Sequence, residues 1–262
     1  MPRYQTLMPI RTKGSAPPLF CVHGQPLKIA QRINPDRPIY GLSHVYHSDF
    51  LDESPESIEK LAALYLSEIR QVQPNGPYHF CGFSAGGMIA FEITRQLLAD
   101  GDKVGTLLLV EPTVAGGTAS SLPSKVARAM LESDSLLAGL RQLMIMVPKS
   151  VKARTQYYSK ILATKVFFAL GMPLPERLRW LGYLKSLGPA MRKYVYTPLD
   201  CRATLLYQMR DDEYCKSAAL FWGHLFLQGV TVEYSPDARR HEDFMLEPAL
   251  SQTVELIERL GF

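Results

Sequence analysis

The stretch 82–87, which reads Gly-Phe-Ser-Ala-Gly-Gly, constrains the fold of this 262-residue chain more than any other. It follows an apolar run that ends at Cys81, and a segment of helical character, Met88 to Ala99, comes after it. A strand that turns sharply into a helix, with Gly-x-Ser-x-Gly at the corner, forms a nucleophile elbow. The serine backbone is strained in such a turn, and a side chain two residues to either side would crowd it. The pattern predicts that Ser84 Oγ is lifted clear of a sheet, where it can act as a nucleophile.

Short apolar runs alternate with helical segments along much of the chain. The run 19–22 is suited to a strand that is buried on both faces, and 104–110 is a continuous apolar run. Their alternation with helices predicts right-handed crossovers, and hence an α/β domain in which helices flank a mostly parallel sheet. The predicted strands are 19–22, 39–42, 78–81, 104–110, 203–209 and 230–234, with an edge strand or arm in 1–13; the predicted helices include 27–33, 57–72, 88–99 and 248–260.

The alternation stops between about residues 113 and 200. No strand-like run occurs there, and loops rich in glycine and proline separate several helical stretches. We interpret this region as a helical lid inserted into a single domain that spans residues 1–262. The helical stretches predicted within it are 122–146, 149–163, 176–187 and 189–195.

The charge of the chain is unevenly distributed. The net charge of +4 is too small to indicate a nucleic-acid partner. Residues 122–200, however, carry a net charge of +9, whereas the rest of the chain carries −5. Two interpretations stay open: the inserted region faces an anionic partner, or its charges cover the solvent-exposed faces of amphipathic helices.

Composition also limits the compartment and the kind of site. No apolar run approaches the ~18–20 residues of a membrane span, and no apolar signal core follows the first residues, Met-Pro-Arg-Tyr-Gln. We therefore expect a cytoplasmic protein without stable membrane insertion. The four cysteines have no metal-like spacing, so we expect buried free thiols, no metal and no cofactor.

A serine hydroxyl becomes a good nucleophile only when an oriented base takes its proton. With the serine on an elbow, the acid and then the histidine follow along the chain, the histidine in the loop after the last strand. Among the six histidines, His241 alone has this position, because it follows the run 230–234 by a short loop and precedes the terminal helix. We predict that His241 is the base.

Two positions remain open for the acid. Glu111 ends the strand that follows the elbow helix, whereas Asp211 and Asp212 follow the next strand of the sheet. Parallel strands open on the same carboxyl edge, so a carboxylate at either position can reach the histidine. For the oxyanion hole we predict the backbone N–H groups of Ala85 and of Gln25, which lies in the His-Gly-Gln-Pro loop after the first buried strand.

Several motifs together resemble the thioesterase domains that release products from nonribosomal peptide and polyketide synthases. The lead into the elbow, Gln-Pro-Asn-Gly-Pro-Tyr, and the Ala-Phe-Glu behind it are far more specific than Gly-x-Ser-x-Gly alone. The motifs lie at 19–24 (Leu-Phe-Cys-Val-His-Gly), 73–78, 82–87, 90–93, 107–111 (Leu-Leu-Leu-Val-Glu) and 241–248 (His-Glu-Asp-Phe-Met-Leu-Glu-Pro).

The resemblance implies an α/β-hydrolase fold with a mobile helical lid. It also implies that an acyl, polyketide or peptidyl chain leaves a phosphopantetheine thioester on a carrier protein, or on CoA, by hydrolysis, cyclisation or transfer through a Ser84 acyl-enzyme. In the family the acid is often an aspartate at the position of Glu111, which keeps Asp211 as a candidate. The loop at 25–31 is several residues shorter than in relatives and lacks their further glycines.

Two other functions compete with this one. A lipase or esterase would use the same triad on oxygen esters, with an apolar lid such as the aromatic-rich stretches 166–170 and 180–183. A hydrolase scaffold that only binds would fit the acid substitution and the short loop. The presence of both Ser84 and His241 favours an enzyme over a binding protein.

Overall fold

A seven-stranded sheet forms the centre of the fold in the computed structural model, which describes residues 4–43, 55–114, 159, 163, 166, 187–208 and 213–261. The strand order is β1-β3-β2-β4-β5-β6-β7. The edge strand β1 is antiparallel to β3, and every other neighbouring pair is parallel. The predicted mostly parallel sheet is confirmed. Its strands are β1 (Leu7–Arg11), β2 (Leu19–Val22), β3 (Ile39–Leu42), β4 (Tyr78–Phe83), β5 (Val104–Val110), β6 (Ala203–Gln208) and β7 (Val230–Ser235).

Five helices with complete bounds accompany the sheet within the described residues. The hydroxyl of Ser57 caps the second by accepting a hydrogen bond from the Lys60 amide at 3.2 Å. The third begins at Ala85 rather than at Met88, because the elbow turns directly into the helix despite its two glycines. The helices are α1 (Pro26–Ala30), α2 (Ile58–Val72), α3 (Ala85–Ala99), α4 (Glu213–Gly223) and α5 (Ala249–Arg259).

The core lies on both faces of the sheet. Alternate residues of a strand point to opposite faces, and in β2 this sends Phe20 into one apolar cluster and Leu19 into the other. The first cluster includes Tyr65 of α2 and Trp222 of α4, and the second includes Ile257 of α5. Burial on both faces explains why central strands such as β2 and β3 have no polar alternation.

The predicted lid region lies mostly outside the described residues. Of its predicted helices, 122–146 lies wholly outside them, and residues 159, 163 and 166 are helical. Residues 187–193 form one helical segment, so the loop predicted at Gly188-Pro189 is wrong. Leu187, Ala190 and Tyr194 are buried at helical spacing, and their burial against the core outweighs the local preference of glycine and proline.

A buried carboxylate fixes the N-terminal strand to the body of the domain. Glu68 of α2 is only 4% exposed. Its oxygens accept hydrogen bonds from the Thr6 amide at 3.0 Å, the Thr6 hydroxyl at 2.6 Å and the Leu7 amide at 2.8 Å, as well as from the Gln5 amide. These donors offset the cost of burying the charge. The edge strand is thus anchored by a side chain as well as by its pairing with β3.

Three cysteines, Cys21, Cys81 and Cys201, are buried and free, in agreement with the prediction for them. Burial raises the pKa of the Cys81 thiol to about 12. The side chain of Cys215 lies outside the described part of the structure. Within the described residues, no helix combines the length and the apolar character that a membrane span requires.

We predict that Glu68→Ala lowers the free energy of unfolding by about 3 kcal/mol, because it leaves several buried donors without an acceptor. Urea denaturation of the whole chain measures the change. Glu59→Ala, an exposed glutamate of the same helix, is the matched control and should cost less than about 1 kcal/mol. Equal stability losses in the two variants would show that the Glu68 hydrogen bonds do not anchor the strand.

Candidate active site

Ser84 occupies the turn between β4 and α3 in a strained conformation, with φ 55° and ψ −122°. Three backbone hydrogen bonds hold it. Its amide donates to the Val110 carbonyl at 2.9 Å, and its carbonyl accepts from the amides of Gly87 at 2.9 Å and Thr113 at 3.2 Å. Strain of this kind persists only where the surroundings enforce it. The end of β5 and the first turn of α3 do so here.

The glycines of the elbow are required by close backbone approach. A Cβ on Gly86 would lie 2.1 Å from the Val22 carbonyl oxygen, and a Cβ on Gly82 would lie 2.8 Å from the Gly86 carbonyl oxygen. Both distances are shorter than real Cβ contacts, so the crowding expected on either side of the serine is present. Gly87 is a third such position, because its Cβ would lie 2.8 Å from Pro112 Cβ. The helix therefore starts directly against the carboxyl end of β2.

His241 begins a short 3-10 helix, His241–Met245, where the sequence predicts a loop. Asp243 caps this turn by accepting hydrogen bonds from the amides of Arg239 and Arg240 at 3.0 and 2.9 Å. These bonds lower the pKa of the Asp243 carboxyl. The His241 ring packs on the Phe83 ring with centroids 4.8 Å apart. Because Phe83 directly precedes the serine, this contact brings the imidazole to the elbow.

Glu111 lies beside His241. Its Oε2 is 3.4 Å from His241 Nδ1. The carboxylate is buried, and Gln208 at the end of β6 donates to it from its backbone amide at 2.7 Å and from Nε2 at 3.3 Å. The contact uses only Nδ1 of the imidazole, so Nε2, the other ring nitrogen, is not engaged by Glu111. Asp211 and Asp212, the other candidate acids, lie outside the described residues.

Sequence reasoning did not single out Gln208. Gln208 could have been noticed because it is a polar residue at the end of the mostly apolar strand β6, which pairs with β5. The pairing of Val110 with Leu206 brings the end of β6 beside Glu111. A buried carboxylate at that point needs a donor, which Gln208 supplies.

Three residues other than glycine have positive φ in the described parts of the chain: His23 at 63°, Ser84 at 55° and Glu111 at 47°. Each comes directly after a strand, and the three strands β2, β4 and β5 are neighbours in the sheet. Strained backbone of this kind clusters at functional sites. The strain marks the carboxyl edge of these three strands as the site.

The two predicted oxyanion donors lie at the starts of two helices. Ala85 is the first residue of α3, so its N–H has no acceptor within the helix, and the helix dipole adds positive potential there. Gln25 precedes α1, and its Nε2 is 3.7 Å from Met245 Sδ. Lys28 Nζ also donates to the Met245 carbonyl at 3.0 Å. These contacts join the oxyanion loop to the 3-10 helix that carries His241.

The Ser84 hydroxyl faces Thr113 in this structure. The two side-chain oxygens are 3.4 Å apart. Within the described residues, no hydrogen bond joins Ser84 Oγ to the His241 ring. Hydrogen bonds of a catalytic group are often long or misaligned in the absence of substrate. In this structure Glu111 and His241 are thus paired, whereas the Ser84 hydroxyl faces Thr113.

The Ala-Phe-Glu sequence behind the elbow is structural. Glu92 is fully buried and accepts hydrogen bonds from Arg95 at 2.7 Å, Gln96 at 2.8 Å and the Tyr194 hydroxyl at 2.7 Å. Burial raises the pKa of Glu92, but these bonds lower it further, so the net shift is downward. Burial, together with the Glu92 bond, raises the pKa of Tyr194. The glutamate ties the elbow helix to the chain where it returns from the inserted region.

A family model described as the thioesterase domain matches residues 27–164, more than half of the chain. The chain belongs to the thioesterase domain family. This match confirms the resemblance predicted from the motifs. A thioesterase domain with its serine on the elbow and a histidine paired to a buried carboxylate is of the serine-hydrolase type.

Relatives of this thioesterase domain include large synthases. A dimodular nonribosomal peptide synthase of Bacillus subtilis is 38% identical over 111 residues, which cover 40% of this chain. A non-reducing polyketide synthase of Pseudevernia furfuracea is 37% identical over 103 residues, which cover 39% of this chain. The matched regions amount to only 5% of the length of each synthase.

Solved thioesterases share the fold over nearly the whole chain. The NocB thioesterase domain, solved as a covalent complex with a fluorophosphonate nocardicin G analogue, matches with a TM-score of 0.65 at 22% identity, over 97% of this chain and 99% of its own. BorB, a type II thioesterase from the borrelidin biosynthetic cluster, matches with a TM-score of 0.63 at 18% identity, over 99% of this chain and 97% of its own. The α/β-hydrolase fold implied by the resemblance is confirmed.

We predict that Gly86→Ala destabilises the protein by about 3 kcal/mol or more, because the new methyl group has to displace the backbone of β2. Thermal and urea denaturation measure the change. Gly223→Ala is the matched control, since among the described residues no atom other than those of its own helix backbone and chain neighbours lies within 4 Å of its Cβ position, and it should leave stability nearly unchanged. Wild-type stability in Gly86→Ala would contradict the close contact described for the elbow.

Proposed function

We propose that this thioesterase domain releases an acyl, polyketide or peptidyl chain from a phosphopantetheine thioester, borne by a carrier protein or by CoA, through an acyl-enzyme on Ser84. The observation that carries the proposal is the 3.4 Å contact of His241 Nδ1 with Glu111 Oε2, beside a serine on a strained elbow. Further support comes from the pairing of Phe83 with Val110, which makes Ser84 and Glu111 the first residues past two neighbouring strands. The relatives among nonribosomal peptide and polyketide synthases support a carrier as partner.

Acylation follows from these positions. Ser84 Oγ attacks the carbonyl carbon of the thioester, and its proton passes to His241 Nε2. Glu111 holds the Nδ1–H of the ring and stabilises the imidazolium. The backbone N–H groups of Ala85 and Gln25 donate to the oxyanion. The C–S bond then breaks, the thiolate takes the proton from His241, and the chain remains on Ser84 as an ester.

Deacylation reverses the roles of the same groups. His241 takes a proton from water, or from a nucleophile of the chain itself or of an acceptor molecule, and that oxygen or nitrogen attacks the ester carbonyl. The tetrahedral intermediate collapses with departure of Ser84 Oγ, which receives the proton from His241. Water gives hydrolysis, an internal nucleophile gives cyclisation, and an external one gives transfer.

Glu111 is our choice for the acid. Its carboxylate is buried, two hydrogen bonds from Gln208 fix its direction, and one oxygen faces His241. A glutamate is one methylene longer than an aspartate, so its backbone has to stand further from the ring. Glu111 itself has a positive φ of 47°, and this unusual backbone conformation occurs together with the longer side chain.

We predict that Ser84→Ala abolishes acyl-enzyme formation on an acylated carrier protein. Removal of the nucleophile leaves no atom on which the chain can be carried. Intact-protein mass spectrometry after mixing with the acyl-carrier substrate detects the adduct in the wild type. An adduct that persists in Ser84→Ala would overturn the assignment of the nucleophile.

Two further measurements separate the competing functions. Turnover of matched thioester and oxygen-ester substrates distinguishes the thioesterase from a lipase or esterase, since only the latter favours the oxygen ester. Labelling by a fluorophosphonate probe distinguishes both enzymes from a scaffold that only binds. A wild-type protein that resists the probe would favour the binding scaffold.

We predict that Glu111→Gln lowers kcat by about 10³–10⁴, as expected when a triad acid can no longer orient and stabilise the imidazolium. Steady-state turnover of an acyl-pantetheine thioester measures the effect. Glu242→Gln is the matched control, because Glu242 is exposed, adjoins His241 and pairs with Arg240. A loss of this size in Asp211→Asn or Asp212→Asn, with Glu111→Gln active, would move the acid to the end of β6.

A further inference from the structure

Thr113 is held against the nucleophile by its backbone as well as by its side chain. Its Oγ1 is 3.4 Å from Ser84 Oγ. Its amide donates to the Ser84 carbonyl at 3.2 Å, and its carbonyl accepts a hydrogen bond from the Tyr196 hydroxyl at 3.2 Å. Both peptide groups that flank its Cα are therefore fixed, and the direction of the Cα–Cβ bond follows from them.

We infer that Thr113 is a further catalytic residue, whose hydroxyl donates a hydrogen bond to Ser84 Oγ as that oxygen gains negative charge. The inference rests on the proposed function, in which Ser84 is the nucleophile. The contact involves the reacting atom itself, so it differs from the oxyanion hole, whose donors face the carbonyl oxygen of the substrate.

The direction of the hydrogen bond follows from what each hydroxyl has to do. Ser84 gives its proton to His241, so Oγ can only accept from a second partner during the attack. A threonine hydroxyl has one proton to donate. If Thr113 donates, the Ser84 proton stays free for the base, whereas the reverse bond would draw that proton away from it.

The length of the contact predicts where in the reaction it acts. At 3.4 Å it is longer than an ordinary O–H···O bond, so it contributes little while Ser84 is neutral. Hydrogen bonds to a charged oxygen are shorter and about twice as strong. The bond therefore stabilises the transition state more than the ground state, and its loss should lower kcat rather than raise KM.

The same hydroxyl acts in both half-reactions. During acylation, Ser84 Oγ becomes negative as its proton moves to His241 and the bond to the carbonyl carbon forms. During deacylation, that bond breaks and Oγ is again negative until His241 returns the proton. Thr113 keeps its own proton throughout.

Tyr196 is the positioning residue for Thr113. Its ring is enclosed edge-on by four other aromatic rings, with centroids 4.8–5.3 Å away, so its hydroxyl is a rigid donor. It follows the helical segment 187–193, where the chain returns from the inserted region. The four enclosing rings are those of Phe91, Tyr194, Phe221 and Trp222.

Thr113→Val, which keeps the shape and removes the hydroxyl, is the decisive variant. It should react with a fluorophosphonate probe to the same end-point as the wild type but about tenfold more slowly. Its kcat on an acyl-pantetheine thioester should fall by a similar factor with KM unchanged. The acidic limb of the pH profile should not move, because within the described residues no hydrogen bond joins Thr113 to His241. Thr113→Ser should restore a rate close to that of the wild type.

Thr106→Val is the matched control. It makes the same change on β5, away from the carboxyl edge, and should label at the wild-type rate. Tyr196→Phe keeps the Thr113 hydroxyl but releases its carbonyl, and should slow labelling less than Thr113→Val does. An unchanged rate in Tyr196→Phe would overturn the positioning role of the tyrosine.

The outcomes separate the two proposals. Wild-type labelling and turnover in Thr113→Val, or a loss that Thr113→Ser fails to restore, would overturn the role of Thr113. A fraction of misfolded protein would lower the end-point of labelling. The rate constant measured for the folded remainder still tests the role of Thr113. If wild-type Ser84 labels yet no thioester is turned over, the thioesterase proposal fails, while slower labelling of Thr113→Val still supports the hydroxyl contact.

Discussion

The start of α3 lies so close to the carboxyl end of β2 that only hydrogen fits between Gly86 and the Val22 carbonyl oxygen. The rest of the site depends on this contact. It fixes the distance between the nucleophile and the loop that carries Gln25, and it forces the tight turn in which Ser84 is strained. Because the approach is backbone against backbone, no change of rotamer can relieve it.

Strain at the sheet edge is shared among three neighbouring strands. His23, Ser84 and Glu111 each leave the extended conformation at the first position past a strand, so the three residues lie at one edge of the sheet. Each unusual conformation costs of the order of 1–3 kcal/mol. The buried faces of the sheet on either side supply the stability that offsets this cost.

Much of the fold was predictable from the sequence because its signals are local. Short runs rich in apolar residues predicted six of the strands, and the elbow motif predicted the turn at Ser84. The helical segment through Gly188-Pro189 was not predictable, since it depends on burial of Leu187 and Ala190 against distant residues. The contact between Glu111 and His241 joins residues 130 apart, and its supporting donor, Gln208, becomes visible only with the pairing of β5 and β6.

The bond from Tyr196 to the Thr113 carbonyl has an architectural consequence. It joins two positions 83 residues apart, so Thr113, just after β5, and Tyr196, before β6, are fastened together beside the core. The entropy of closing a loop rises only slowly with its length, by about 0.6 kcal/mol for each doubling. A change in the number of residues between these two points therefore costs little closure entropy, and strands β5 and β6, which lie on either side of them along the chain, need not be rebuilt.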